Sequence, residues 1–311
     1  MSQSWHNLIS LGLVHPMLYP EVANGEGPIL ETVEKLLEDT FFDAIELTYV
    51  KDAKTRRQLS QMFEISDVEV VVCGGAPLII NGYDLNSLDD TKRNQAIEFC
   101  KELVDQAYEY SAKILMLVSG ENPDVGNQEL AEQKFIESMH EICDYAWKVK
   151  KGYLLTISIE YFPTNLPKKF LIGSTKKAVE ISEKVRENHK NFGLTVDLSH
   201  IHQLLEDPRD SILLAKEHII HAHLSNCVIK DKSHPQYGDE HPRYNIKGGE
   251  VDEYVAADFI KNLIEAGFFS KELPTKRPVF SLEIKRIKGE PPNLTIANAK
   301  RVFQKAWNLI G

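Results

Sequence analysis

A single eight-stranded (β/α)8 barrel spanning residues 1–311 is the fold class that this sequence predicts. Three observations lead there. Eight short apolar runs rich in β-branched residues recur, each followed by a helix-like segment. No proline-, glycine- or serine-rich linker divides the chain. The glycine-rich phosphate turn expected after the first strand of an open doubly wound sheet is missing, since LGLVHPMLYP contains no GxGxxG.

The first four runs are LISLGLVH (8–15), FDAIELTYV (42–50), VEVVVCGG (68–75) and KILMLVSG (113–120). The second four are LLTISIEYF (154–162), FGLTVDLSH (192–200), IIHAHLSN (219–226) and VFSLEIK (279–285). Amphipathic stretches over 90–111, 128–149, 174–188 and 294–309 supply crossover helices. In the third, Ala178, Val179, Ile181 and Val185 approximate the stripe of a helix buried on one face. Strand and helix alternating eight times call for a parallel sheet, and eight such units can close on themselves. The segment 227–250 reads as a long loop too polar for core, and long loops in compact domains are often functional.

Composition narrows the function classes. A hydrophobic fraction of 42% and a charged fraction of 26% are those of a soluble globular chain. The net charge of −10 argues against nucleic-acid binding, which needs cations to displace counterions from phosphates. No apolar run approaches the roughly 20 residues that span a bilayer. The start MSQSWHNLISLG lacks a secretory pattern, and Cys73, Cys100, Cys143 and Cys227 form no CxxC pair. A cytoplasmic protein with free thiols is therefore expected.

Barrel active sites lie at the carboxyl ends of the strands, so the last residues of each run carry the chemistry. Side chains alternate along a strand. Thr156, Ser158 and Glu160 thus share one face, as do Thr195 and Asp197, and Val279, Ser281 and Glu283. Small inner residues below a terminal carboxylate fit a narrow barrel with acid at its rim. Carboxylates converging at one rim repel each other unless a cation sits between them. With His223 they make a three-oxygen, one-nitrogen set suited to Mn2+, Mg2+ or Co2+; Zn2+ is also admitted.

These motifs (IEYF around Glu160, VDLSH around Asp197 and His200, HAHLSN around His223, SLEIK around Glu283) resemble the xylose isomerase-like TIM barrel superfamily. That superfamily holds ketose 3-epimerases, inosose dehydratases and endonuclease IV. The resemblance implies one divalent ion held by Glu160, Asp197, His223 and Glu283, with Glu160 and Glu283 also moving protons. It implies a sugar-like small-molecule substrate. Because many relatives pair up, it also carries the expectation of a homodimer. The implied chemistry is isomerisation or epimerisation through an enediolate; an inosose-dehydratase-like lyase and a non-catalytic sugar-binding barrel are the alternatives.

The chain departs from the epimerase branch at Leu166, where that branch has a glutamate, and at Ile229, where it has an arginine. The endonuclease branch shares the DxxH of Asp197 and His200 and a DxH like Asp239–His241, but needs histidines at the ends of strands three and four. Here those regions read CGGAP and LVSG, which leaves two of its three ions unsupported and disfavours DNA cleavage. His15, Glu46, His200, His241 and Lys285 are further candidates for substrate contact. The competing readings are a carbonyl bond for His200, rim salt bridges for His15 and Glu46, and for Lys285 an ion pair with a ligand glutamate. His221, one layer below His223, reads as a hydrogen-bonded core histidine; Met62, Met116, Met139, Trp147 and Trp307 read as packing.

Overall fold

The computed structural model describes residues 4–163 and 169–311. β1 (Ser10–Val14) leads to α1 (His15–Leu18) and α2 (Ile29–Leu37), and β2 (Ala44–Leu47) to α3 (Ala53–Ser66). β3 (Glu69–Cys73) leads to α4 (Gly75–Asn81) and α5 (Asp90–Glu109), and β4 (Ile114–Val118) to α6 (Gln128–Lys148). β5 (Thr156–Glu160) leads to α7 (Thr175–Arg186), and β6 (Phe192–Asp197) to α8 (Leu198–Gln203) and α9 (Pro208–Ala215). β7 (Ile219–Ser225) leads to α10 (Glu253–Glu265), and β8 (Val279–Glu283) to α11 (Pro292–Ile310). The strands pair in sequence order, all parallel, and β8 closes on β1. The barrel is as expected.

Local sequence explains the helix starts. Asp52, Asp89, Ser174, Asp207 and Asp252 each accept hydrogen bonds from first-turn amides of α3, α5, α7, α9 and α10. α7 buries Ala178, Val179, Ile181 and Val185, the stripe read from the sequence. β1 stops at Val14 because Pro16 occupies the first turn of α1; a helix tolerates a missing N–H there and a strand does not.

Packing inside the cylinder sets the height of the site. Ala44, Val71, Ile114 and Val279 form a small apolar cluster of their own, apart from the large core between strands and helices. At Gly12 an added Cβ would stand 2.5 Å from Ser281 Oγ and 3.3 Å from Ala44 Cβ, so only glycine fits. Higher up the filling turns polar: Ser158 Oγ lies 2.5 Å from Thr195 Oγ1, which lies 3.2 Å from His221 Nδ1. The carboxylates stand above this layer. All four cysteines are buried and free.

The segment between β7 and α10 differs from the expectation in one respect. It is polar in composition, yet Cys227, Val228, Tyr244 and Val251 are buried within it. Tyr244 explains much of this, because its hydroxyl donates to the carbonyl of Leu224 at 2.5 Å and pins the loop across the rim. Trp147, expected to pack, is 58% exposed, with Lys150 Nζ 3.4 Å from its ring centre.

Candidate metal centre

Four strand ends meet at the carboxyl rim of the barrel. Register sets Asp197 beside His223 and Ser225 beside Glu283, while Glu160 pairs with Thr195 one strand away. His223 Nδ1 then lies 3.1 Å from Glu160 Oε1, 3.0 Å from Glu283 Oε2 and 3.8 Å from Asp197 Oδ2. One ring nitrogen cannot donate to three carboxylates. Glu283 Oε2 in fact has no hydrogen bond despite its closeness, and all four side chains are buried. Ligand atoms about 2.1 Å from one cation stand about 3.0 Å apart across a right angle. One donor atom from each of the four residues falls within 4.8 Å of the others. The set fits a divalent ion, in a hard, oxygen-rich environment.

The electrostatics of these side chains agree. Burial, reinforced by Glu283 and opposed by His223, pushes the Glu160 carboxyl up to about 7. Burial would lower His223, but the carboxylates of Glu46, Glu283 and Glu160 hold it well above the ordinary imidazole range. Asp197, despite its burial, is held low by His200, His241 and His223. Its Oδ1 also accepts from Ser199 Oγ at 2.6 Å, Ser225 Oγ at 2.5 Å and the His200 amide at 3.0 Å, and so caps α8. These bonds leave it little freedom to turn away from the centre.

Glu46 is not at the rim. Its Oε1 lies 3.0 Å from His223 Nε2 and 3.0 Å from His221 Nε2, wholly buried below the centre and outside the cavity lining. Glu46, a candidate for substrate contact by sequence, instead stands behind His223, at the ring nitrogen opposite the one that faces Glu160 and Glu283. His221 is the core histidine expected. His15 is corrected too. It is buried outside the cavity lining, its Nε2 lies 2.8 Å from Thr32 Oγ1, and burial drives it down to about 3.

A second group of donors stands beside the first. His200 Nε2 and His241 Nε2 lie 3.1 and 2.8 Å from Asp239 Oδ1, and one atom of each residue falls within the same 4.8 Å limit. His200 is lifted to about 9 against its burial by Asp197 and Asp239, and His241 to about 10 by Glu283 and Asp239. His241 holds a left-handed backbone at φ 44°, a conformation non-glycine residues adopt only under constraint. The Lys285 amide supplies part of it by donating to the His241 carbonyl at 2.8 Å. Two further ion positions lacked support in sequence. The fold assembles donors for one of them, whereas Cys73 ends β3 and Met116 lies in the middle of β4. Asp239, noticed only as part of a DxH spacing, is the residue that sequence reasoning missed.

Above the centre lies a cavity of about 210 Å3. Glu160, Glu283, Asp239, His241 and Lys285 reach it; Asp197, His223 and His200 lie below or behind. Lys285 pairs with Glu240 rather than with a ligand glutamate. Leu166 lies outside the described residues, and Ile229 does not line the cavity. Among the described residues no helix is long and apolar enough to cross a membrane.

A family model described as xylose isomerase-like TIM barrel matches residues 35–305. The chain belongs to that family. No curated protein sequence matches this family member. Solved structures resemble it across nearly their whole length. A D-tagatose 3-epimerase-like protein is 18% identical with a TM-score of 0.72, covering 97% of this chain and 98% of that one. D-psicose 3-epimerase with D-tagatose, from Clostridium cellulolyticum H10, is 15% identical with a TM-score of 0.68, covering 97% and 98%. IOLI protein with a bound zinc atom is 16% identical with a TM-score of 0.71, covering 97% and 99%. At such identities the likeness carries the fold alone; the donor set stands on the geometry above.

Proposed function

We propose that this family member is a divalent-metal-dependent isomerase or epimerase acting on a polyhydroxylated ketone, with Glu160 and Glu283 as acid and base. The observation that carries the reading is a division of labour within the ligand set. All four residues converge on one point, yet only Glu160 and Glu283 also reach the cavity. A divalent cation held by Glu160, Asp197, His223 and Glu283 would supply positive charge that acidifies a carbon-bound proton beside the substrate carbonyl. One glutamate takes that proton, and the electron pair left behind is delocalised as an enediolate on the substrate. The other glutamate delivers a proton to the opposite face, which inverts the carbon; delivery to the neighbouring carbon exchanges ketose for aldose. His241, between Asp239 and Glu283, orients oxygens at the cavity's polar side.

The test is deuterium wash-in from heavy water, with Mn2+-loaded protein and a panel of ketoses, aldoses and inososes. Exchange at one carbon is expected with wild type. With Glu160→Gln or Glu283→Gln, interconversion should fall by about 100-fold or more. A single glutamate variant that still exchanges deuterium into one epimer alone would identify the face that each residue serves. A product lighter by one water would select the lyase instead, and a protein that binds sugars with neither metal nor exchange would select the non-catalytic barrel.

A further inference from the structure

Taking the proposed chemistry as its basis, the cavity also says what the rest of the substrate is made of. Its polar groups lie together: the two glutamates of the centre, then Asp239, His241 and Lys285. Two of these already have partners, His241 Nε2 with Asp239 and Lys285 Nζ with Glu240. His241 Nδ1 is a buried nitrogen without a hydrogen bond, and so offers one substrate oxygen a place. Much of the remaining wall comes from Met17 and Pro20 after β1, Ile79 and Ile80 of α4, Met116 of β4, and Phe162, and the Cys73 thiol is the most polar of its other side chains. Among the described residues lining the cavity there is no serine, threonine, asparagine, glutamine, tyrosine, tryptophan or arginine.

A ketohexose brings six oxygens. The carbonyl and its neighbouring hydroxyl would be taken up at the centre, and His241 and Lys285 serve one or two more. Any others would face, among the described lining residues, thioether, proline and branched alkyl groups that offer no donor and at best a weak sulfur acceptor, and a hydroxyl buried without a good partner is unfavourable. A methyl or methylene in the same place is favoured by contact with those walls. We infer that this site takes a hydroxy-ketone whose far end is apolar, a polyol ketone ending in methyl rather than hydroxymethyl, and that Ile79 and Met116 set this preference.

The experiment compares matched pairs, each a ketohexose and its 6-deoxy counterpart, with the metal-loaded full-length protein. Binding is read by calorimetry and turnover by deuterium wash-in. The 6-deoxy member is expected to bind more tightly and to lead in kcat/KM by about 10- to 100-fold, the range over which an apolar pocket discriminates against an added hydroxyl. Ile79→Asn and Met116→Gln each place an amide on the wall and should return the ratio toward unity while Mn2+ affinity stays at the wild-type value. Equal or better binding of the parent ketohexoses would overturn the inference, as would a ratio unmoved by both substitutions or failure of the 6-deoxy members to bind. Selective binding of the 6-deoxy members without exchange would sustain the apolar end and overturn the proposed reaction.

Discussion

Glu46→Gln tests whether the barrel interior tunes the metal centre. The carboxylate is fully buried, with one oxygen 3.0 Å from both His223 Nε2 and His221 Nε2. Glutamine has nearly the same shape. It keeps one acceptor oxygen but replaces a charge-assisted bond with a neutral one of roughly half the strength. Loss of such an orienting partner costs about 10- to 100-fold in metal affinity, which is about 1.4 to 2.7 kcal/mol. A second effect opposes the first. Among the carboxylates that raise His223, Glu46 contributes most, so the substitution lowers the basicity of that ring. The cation then displaces its proton more easily. Well above the His223 pKa no proton is in competition and the full deficit appears; as pH falls, the wild type must expel a more tightly held proton, and the deficit narrows. Chelator-competition titrations with Mn2+ from about pH 6 to 9 should therefore show weaker binding by the variant and a shallower pH slope. Wild-type affinity throughout, or a deficit that widens in acid, would refute the orienting role.

Three further outcomes follow from the same geometry. Asp197→Ala should abolish stoichiometric Mn2+ binding and also destabilise the chelator-treated protein by about 1–3 kcal/mol, because the capped His200 amide and two buried serine hydroxyls lose their acceptor; Asp197→Asn, which keeps an acceptor oxygen, should separate the effects in paired metal titrations and thermal melts. Glu160, raised from 4.5 to about 7, binds a proton in the folded chain where the unfolded chain has released it, so its stabilising contribution is present below about 4.5 and disappears as pH rises through about 7. A cation takes over from that proton, and the rise in Tm on adding Mn2+ should be larger at pH 8 than at pH 5.5; a smaller rise at pH 8 would contradict the assignment. Asp239→Asn should leave Mn2+ affinity at the four-residue centre within about threefold while lowering kcat/KM, since Asp239 holds His241 and His200 and lies off that centre; loss of the first ion would show that the two groups of donors are one unit.

Much of this site was legible because a strand carries its chemistry with a period of two. Glu160, Asp197 and Glu283 end strands whose alternate inward residues include small ones, and His223 stands two residues above His221 on the inner face of β7, so the inward face and the rim can be read together. The same periodicity misled at Glu46. It identifies an inward residue near a strand end but does not tell the rim from the layer beneath, which depends on strand stagger: Glu46 pairs with Val14 and Val71, and points under His223. A usable signal did exist, since His221 and His223 on one inner face need an inward acid opposite them, and Glu46 is the candidate that satisfies both. His15 misled for a different reason. Pro16 converts the end of the first apolar run into a helical turn, which turns the histidine toward Thr32. Asp239 and His241 lie where no periodicity operates. Their convergence depends on a left-handed residue, the Tyr244 hydroxyl on a strand carbonyl and the Lys285 amide on a loop carbonyl, contacts between positions as much as 44 residues apart. Met116 shows the limit from the other side: an apolar residue on a barrel strand looks the same whether it meets a helix or a ligand, and only the closed cylinder turns it toward the cavity. What lines the cavity is therefore the part of the site least accessible to a reading of strand periodicity, even where the converging donor residues are plain.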